Sequence, residues 1–108
     1  EKFANIDITE NEKEADIDKS DFVIALDEKG KEMDSAEFAE LIRRLEIEGK
    51  KICFVVGNWS GLEEKIKGEA NLILSLSKLT FPYQLARIIL LEQIYRAFTI
   101  IRGIGYHK

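Results

Sequence analysis

The stretch Leu74-Ser75-Leu76-Ser77-Lys78-Leu79-Thr80-Phe81-Pro82 decides how the rest of the chain is read. Apolar side chains run from Leu72 to Leu76, hydroxyls and backbone polar groups gather from Ser75 to Thr80, and the single proline restricts Phe81 to an extended conformation. A strand therefore runs into a polar turn just ahead of a long helical pattern. In an open α/β sheet, ligands bind in the crevice beyond the carboxyl ends of the strands. A plain strand-to-helix connection has the same composition, and the nonamer alone does not separate the two readings.

Downstream, the spacing predicts a helix of about five turns over residues 83–101. Leu85, Ile88, Ile89, Leu91, Ile94, Tyr95, Phe98 and Ile101 occupy too much of it for one narrow stripe, so it must be covered on more than one side. A chain this small has few elements to supply that cover, and a second subunit is expected, symmetric dimers being the commonest oligomers. Glu92 and Arg96, four apart, are placed to pair along the helix. The tail from Arg102 to Lys108 has two glycines and no period.

Upstream, residues 71–76 form the strand that feeds the turn, and residues 62–67 a short helix. Residues 51–56 read as a fully apolar strand followed at once by Gly57-Asn58-Trp59-Ser60-Gly61. That loop matches neither the dinucleotide GxGxxG pattern nor a Walker A loop; it either lets backbone approach a ligand or simply turns the chain. Residues 21–27 are another continuous apolar run, the pattern of a strand covered on both faces, and Lys29-Gly30-Lys31 is expected to turn the chain after it. Asp34 with Glu37 makes a capping box for a helix whose stripe is Phe38, Leu41, Ile42 and Leu45 and whose end is Gly49. Residues 5–9 alternate as a short strand with one wet face, and residues 10–20 form an acidic loop. The order of elements gives an α/β fold with a largely parallel sheet and helices on both faces.

At 108 residues the chain is expected to be one domain, 1–108. No run approaches the roughly 18 apolar residues of a membrane span, and Glu1-Lys2-Phe3 does not open a signal peptide, so a cytoplasmic protein is expected. One His and one Cys, 54 positions apart, do not make a metal site, and Cys53 within an apolar run reads as a buried thiol. Residues 72–108 hold 5 Lys/Arg and 1 Asp/Glu, against 11 and 19 in residues 1–71, a net +4 against −8 within an overall −4. The basic third either solubilises a helix or offers a surface to a polyanion. Asp27 and Glu28 end a strand near the expected ligand edge, where carboxylates also commonly cap or solvate turns.

Residues 21–27 with Lys29-Gly30-Lys31, Gly57 to Gly61, the opening nonamer, Glu92-Gln93-Ile94-Tyr95-Arg96-Ala97-Phe98 and the ending Gly105-Tyr106-His107-Lys108 closely resemble the ribosomal RNA large subunit methyltransferase H family of the SPOUT superfamily. The resemblance implies a homodimer with a C-terminal trefoil knot that uses S-adenosylmethionine to methylate N3 of a pseudouridine in large-subunit ribosomal RNA of the assembled ribosome. It implies cofactor contacts at Leu26, Gly57, Leu76, Ser77, Lys78, Leu79, Thr80 and Phe81, made mainly through backbone. Tyr106 and His107 match the family's tail, where they position the base or accept its proton. Arg87, Arg96, Arg102 and Lys108 become candidates for RNA phosphate, with dimer bracing as the alternative for Arg96. Asn58 replaces the second glycine of the family pair, and Tyr83 the histidine usual after the proline. Relatives carry a strand and helix ahead of residues 5–9 and a further helix before Asp21, and this sequence is expected to lack both. A non-catalytic dimeric module that keeps the fold is the competing reading, and a generic nucleotide-binding sheet is a third.

Overall fold

The computed structural model describes residues 2–3, 5–10, 17–57 and 62–106. Five strands form one sheet: β1 (Lys2–Phe3), β2 (Ile6–Glu10), β3 (Phe22–Glu32), β4 (Ile52–Val56) and β5 (Leu72–Ser75), in the order β1-β2-β4-β3-β5. β2, β4, β3 and β5 run parallel, and β1 is antiparallel to β2. Among the described residues, three full helices connect or follow them: α1 (Ser35–Ile47), α2 (Glu64–Glu69) and α3 (Tyr83–Ile101). Ile17 and Asp18 are also helical, with Ile17 buried, which corrects the loop expected to run on to residue 20.

The unbroken apolar strands are explained by cover on both sides, since successive side chains point to opposite faces. Ile24, Phe54 and Val56 pack with Phe38, Ile42 and Leu45 of α1 and with Leu90, Ile94 and Ala97 of α3. On the other face Val23, Ala25, Cys53 and Val55 meet Ile17 and Ile66, the latter from α2. Cys53 is fully buried there.

α1 begins where the sequence places it. The Asp34 side chain accepts the Glu37 N–H at 2.7 Å and the Glu37 side chain accepts the Asp34 N–H at 3.0 Å. It ends in a Schellman arrangement around Gly49, at φ +71°, with Gly49 N–H donating to Glu46 O and Lys50 N–H to Leu45 O. The expected turn at Lys29-Gly30-Lys31 is corrected: β3 continues to Glu32, and an irregularity lets Leu74 of β5 stand opposite both Leu26 and Lys31. The excursion of residues 27–30 resembles a bulge, which ejects residues from a ladder while the strand continues.

The amino ends of the central strands are closed by side chains. Asp21 Oδ2 accepts the Lys51 N–H at 2.9 Å, and Asn71 Oδ1 accepts the Val23 N–H at 2.8 Å. At the opposite edge, where β4 and β5 end and β3 leaves its pairing with β4 after Ala25, lies a cavity.

Candidate functional site

The cavity has a volume of about 830 Å³, within the roughly 300–1,000 Å³ usual for small-molecule sites. β3 supplies its last pocket-facing residues Leu26, Asp27 and Glu28, β4 supplies Val56 and Gly57, and the segment after β5 supplies Leu76, Ser77, Leu79, Thr80, Phe81 and Pro82. Tyr83 and Ala86, from the first turn of α3, close one side, and Leu62 and Lys67 another.

The turn after β5 holds itself in shape. Ser75 is buried, and its Oγ donates to Ser77 O at 2.9 Å, while Ser77 Oγ accepts the Leu79 N–H at 3.1 Å. Hydroxyls that bond nearby backbone are a standard way to fix a turn. The serines so abundant in this stretch therefore shape the wall more than they act as reagents. Phe81 is kept extended by Pro82, which is the residue ahead of the first turn of α3.

Seven of the eight expected cofactor residues line the cavity: Leu26, Gly57, Leu76, Ser77, Leu79, Thr80 and Phe81. Lys78 does not. Its side chain points outward with 81% exposure, its Nζ 3.7 Å from a Glu32 carboxylate oxygen, so only its backbone belongs to the turn. Asn58 to Gly61, and likewise His107 and Lys108, lie outside the described residues.

Of the remaining expected residues that are described, Arg96, Arg102 and Tyr106 sit along the later half of α3 and beyond it, and none of them lines the cavity. Arg96 pairs with Glu92, Nη2 to Oε2 at 2.7 Å, and its guanidinium lies 5.0 Å from the centre of the Tyr106 ring. Tyr106 Oη donates to Glu92 Oε2 at 3.0 Å, and its ring meets Tyr95 edge-on with centroids 5.0 Å apart. The hydrogen bond to Glu92 holds the Tyr106 phenol above its ordinary pKa, so it is a protonated donor. Arg102 lies over the Phe98 ring at 4.9 Å. Arg87 is half-buried on α3.

Two features escaped sequence reasoning. Gly103, at φ +70°, ends α3 with the same motif as Gly49, through Gly103 N–H to Ile100 O and Ile104 N–H to Thr99 O. A glycine just past a helix end is the signal for it, and it turns the tail back onto Glu92. The second feature is an ion pair in the cavity wall, Lys67 Nζ to Asp27 Oδ2 at 2.8 Å. Helical and strand periodicity give no hint of it, because the two residues come from α2 and from the irregularity in β3.

Comparison with known proteins matches residues 2–107 to a family model described as "Predicted SPOUT methyltransferase". The chain belongs to the SPOUT methyltransferase family. Within the family it is 52% identical over 92 residues to the ribosomal RNA large subunit methyltransferase H of Caldicellulosiruptor saccharolyticus, covering 85% of the chain and 60% of that protein. It is 46% identical over 112 residues to that of Caldicellulosiruptor bescii, covering 99% of the chain and 72% of the relative. A Clostridium botulinum protein of the same name is 52% identical over 93 residues, with 85% and 58% covered. The chain thus spans about 60% of the length of the first of these SPOUT relatives. Among the described residues, no helix of this SPOUT chain is long and apolar enough to cross a membrane.

Proposed function

We propose that this chain carries an S-adenosylmethionine-dependent methyltransferase that modifies N3 of a pseudouridine in large-subunit ribosomal RNA of the assembled ribosome. In this reading it works in the cytoplasm as a homodimer with a C-terminal trefoil knot. The observation that carries the reading is the cavity where β4 and β5 end and β3 breaks its ladder, walled by a self-bonded turn, in a SPOUT chain. The residues fit the cofactor: Leu26, Val56, Leu76 and Phe81 offer apolar walls for a flat base, and the turn offers backbone donors and acceptors. Asp27 and Glu28 put carboxylates in the same wall, where a positive sulfonium is favoured.

Bound there, the cofactor supplies a methyl group on a positively charged sulfur. A cofactor held there would be aligned with its acceptor, and alignment contributes much of the rate of such a transfer. Accepting that methyl at the ring nitrogen would require the ring proton to leave to a base or to solvent, which is the part this chain's own residues would serve. Tyr106, a protonated donor to Glu92, suits holding the base more than taking its proton. His107 remains the candidate acceptor.

Glu92 lies nine residues beyond Tyr83, about 13 Å along the helix at 1.5 Å per residue, so a tail latched to Glu92 does not complete its own cavity. A second copy's tail does so in this reading. Leu85, Ile88 and Tyr95, exposed by 43%, 61% and 55%, support it by forming an apolar strip opposite the buried Leu90, Ile94 and Ala97. Arg87, Arg102 and Lys108 are then the residues assigned to RNA phosphate, and Arg96, held by Glu92, braces the tail.

Ribosomes lacking the modification, incubated with the chain and methyl-labelled cofactor, should acquire label at N3 of a large-subunit pseudouridine. A dimer that binds cofactor but transfers nothing would instead establish the non-catalytic module. Equal displacement of the cofactor by simple nucleotides would favour the generic nucleotide sheet.

A further inference from the structure

The Asp27–Lys67 pair lies in the cavity wall, with the side chains 14% and 28% exposed. Asp27 Oδ1 also accepts the Lys29 N–H at 3.0 Å, so the carboxylate is fixed from two directions. Lys67 has one further carboxylate near it, Glu64 Oε1 at 3.6 Å. Neither partner is exhausted by these contacts. An ammonium has three donors, of which the two carboxylates take at most two, and each oxygen of a carboxylate has a second lone pair.

A wall that offers one fixed carboxylate beside one ammonium matches a ligand end with the complementary pair of charges. Phosphate is a poor occupant, because Asp27 would repel it as Lys67 attracts it. A plain carboxylate or amine satisfies half the pair. An α-amino acid group carries both charges about one bond length beyond a shared carbon and satisfies the whole.

The geometry points to Asp27 and Lys67 as the receptor for the α-amino-acid end of the cofactor, its carboxylate on Lys67 and its ammonium on Asp27. This assignment rests on the cofactor reading of the cavity and deepens it. The backbone turn of residues 76–81 holds the base, and a separate charged station across the cavity distinguishes a nucleoside bearing an amino acid from one bearing phosphate. It also gives the irregularity in β3 a purpose, since Asp27 is the first residue ejected from the β3–β5 ladder.

The test compares two ligands that share the adenosine thioether and differ in the amino-acid end: S-adenosylhomocysteine and methylthioadenosine. Dissociation constants are measured by calorimetry on the wild-type chain, on Asp27→Asn, on Lys67→Met and on the exchanged variant Asp27→Lys/Lys67→Asp. Each single variant should lose about ten- to a hundredfold in affinity for S-adenosylhomocysteine, the range for a charged hydrogen bond, and less than threefold for methylthioadenosine. The exchanged variant restores an ion pair between β3 and α2 with the charges on the wrong sides. It should remain as deficient as the single variants.

Full recovery in the exchanged variant would overturn the inference and leave a structural brace. So would equal losses for both ligands, or no loss for either. A wild-type chain that binds neither ligand would fail earlier, overturning the cofactor reading itself together with this inference. Binding of both ligands by the wild type with unchanged variants would overturn the inference alone.

Discussion

At Gly30 the backbone of β3 passes so near β5 that a Cβ would meet Ile73 O at 2.6 Å and Ile73 C at 2.7 Å. Backbone atoms in a paired strand do not move aside cheaply, so Gly30→Ala should cost about 1–3 kcal/mol, the usual range for overpacking. The loss should appear in thermal melts as a fall of several degrees, about 4–8 °C per kcal/mol for a domain near this size, together with weaker ligand binding at the adjacent Asp27. A Tm within a degree of wild type would show that the strands separate easily there. The sequence showed a glycine between two lysines, which reads as a turn. What it hid was a strand that continues past an ejected segment, because that depends on the partner strand's register.

Asp27 itself gives a pH prediction. The hydrogen bond from Lys67 first, then that from the Lys29 N–H, holds its carboxyl below the ordinary value of 3.8. A carboxyl depressed in the folded state adds stability that is fully present above its unfolded pKa and is lost as pH falls through the folded one. Melts of the wild type and of Asp27→Asn should therefore differ by a constant amount from pH 7 to about 5 and converge below about pH 4. A difference that persists undiminished well below that window would mean that the carboxylate's charge is not what the fold uses.

At the scale of elements, α3 was legible in extent and only partly in its surroundings. Its span, residues 83–101, follows from Pro82 and from the apolar spacing, and both agree with the structure. The excess of apolar residues was also legible. Within the chain, Leu90, Ile94 and Ala97 are covered, whereas Leu85, Ile88 and Tyr95 are exposed. If a second copy covers that strip, Ile88→Glu places a charge in the dimer interface and should convert the dimer to a monomer in light scattering, while the circular dichroism spectrum keeps its helical content. An unchanged mass would sink the assignment of this face.

The return of the tail was not read from the sequence, although Gly103 marks it. Only a residue that accepts φ +70° permits the two closing hydrogen bonds that send Ile104 and Tyr106 back along α3. Gly103→Ala should cost about 1–2 kcal/mol, the strain of an L residue in the left-handed region, and it should loosen the Tyr106–Glu92 contact, seen as greater hydrogen exchange at residues 104–106. Protection equal to wild type would mean that the aromatic and charged contacts, not the turn, hold the tail.

For the whole molecule, the fold could be read because buried parallel strands and capped helices carry local signals. The candidate site could be read only as a place. Three strand ends were identifiable, but which side chains meet across them depends on contacts between residues distant in sequence, as with Asp27 and Lys67. The same limit applies to the proposed methyl transfer, since Tyr106 is latched to Glu92 in the middle of its own helix and does not line its own cavity. A site built from one chain's cavity and its partner's tail makes a distinctive prediction. A cavity-blocked chain, Gly57→Trp, and a tail-deficient chain, Tyr106→Ala, should each be inactive alone. Mixed and allowed to exchange, half of the dimers pair one of each, and in every such dimer the intact cavity faces the intact tail. About a quarter of the wild-type methyl transfer per site should return, as random pairing in a two-fold dimer requires. A site contained in one chain returns nothing on mixing, since every cavity-competent chain then carries its own defective tail.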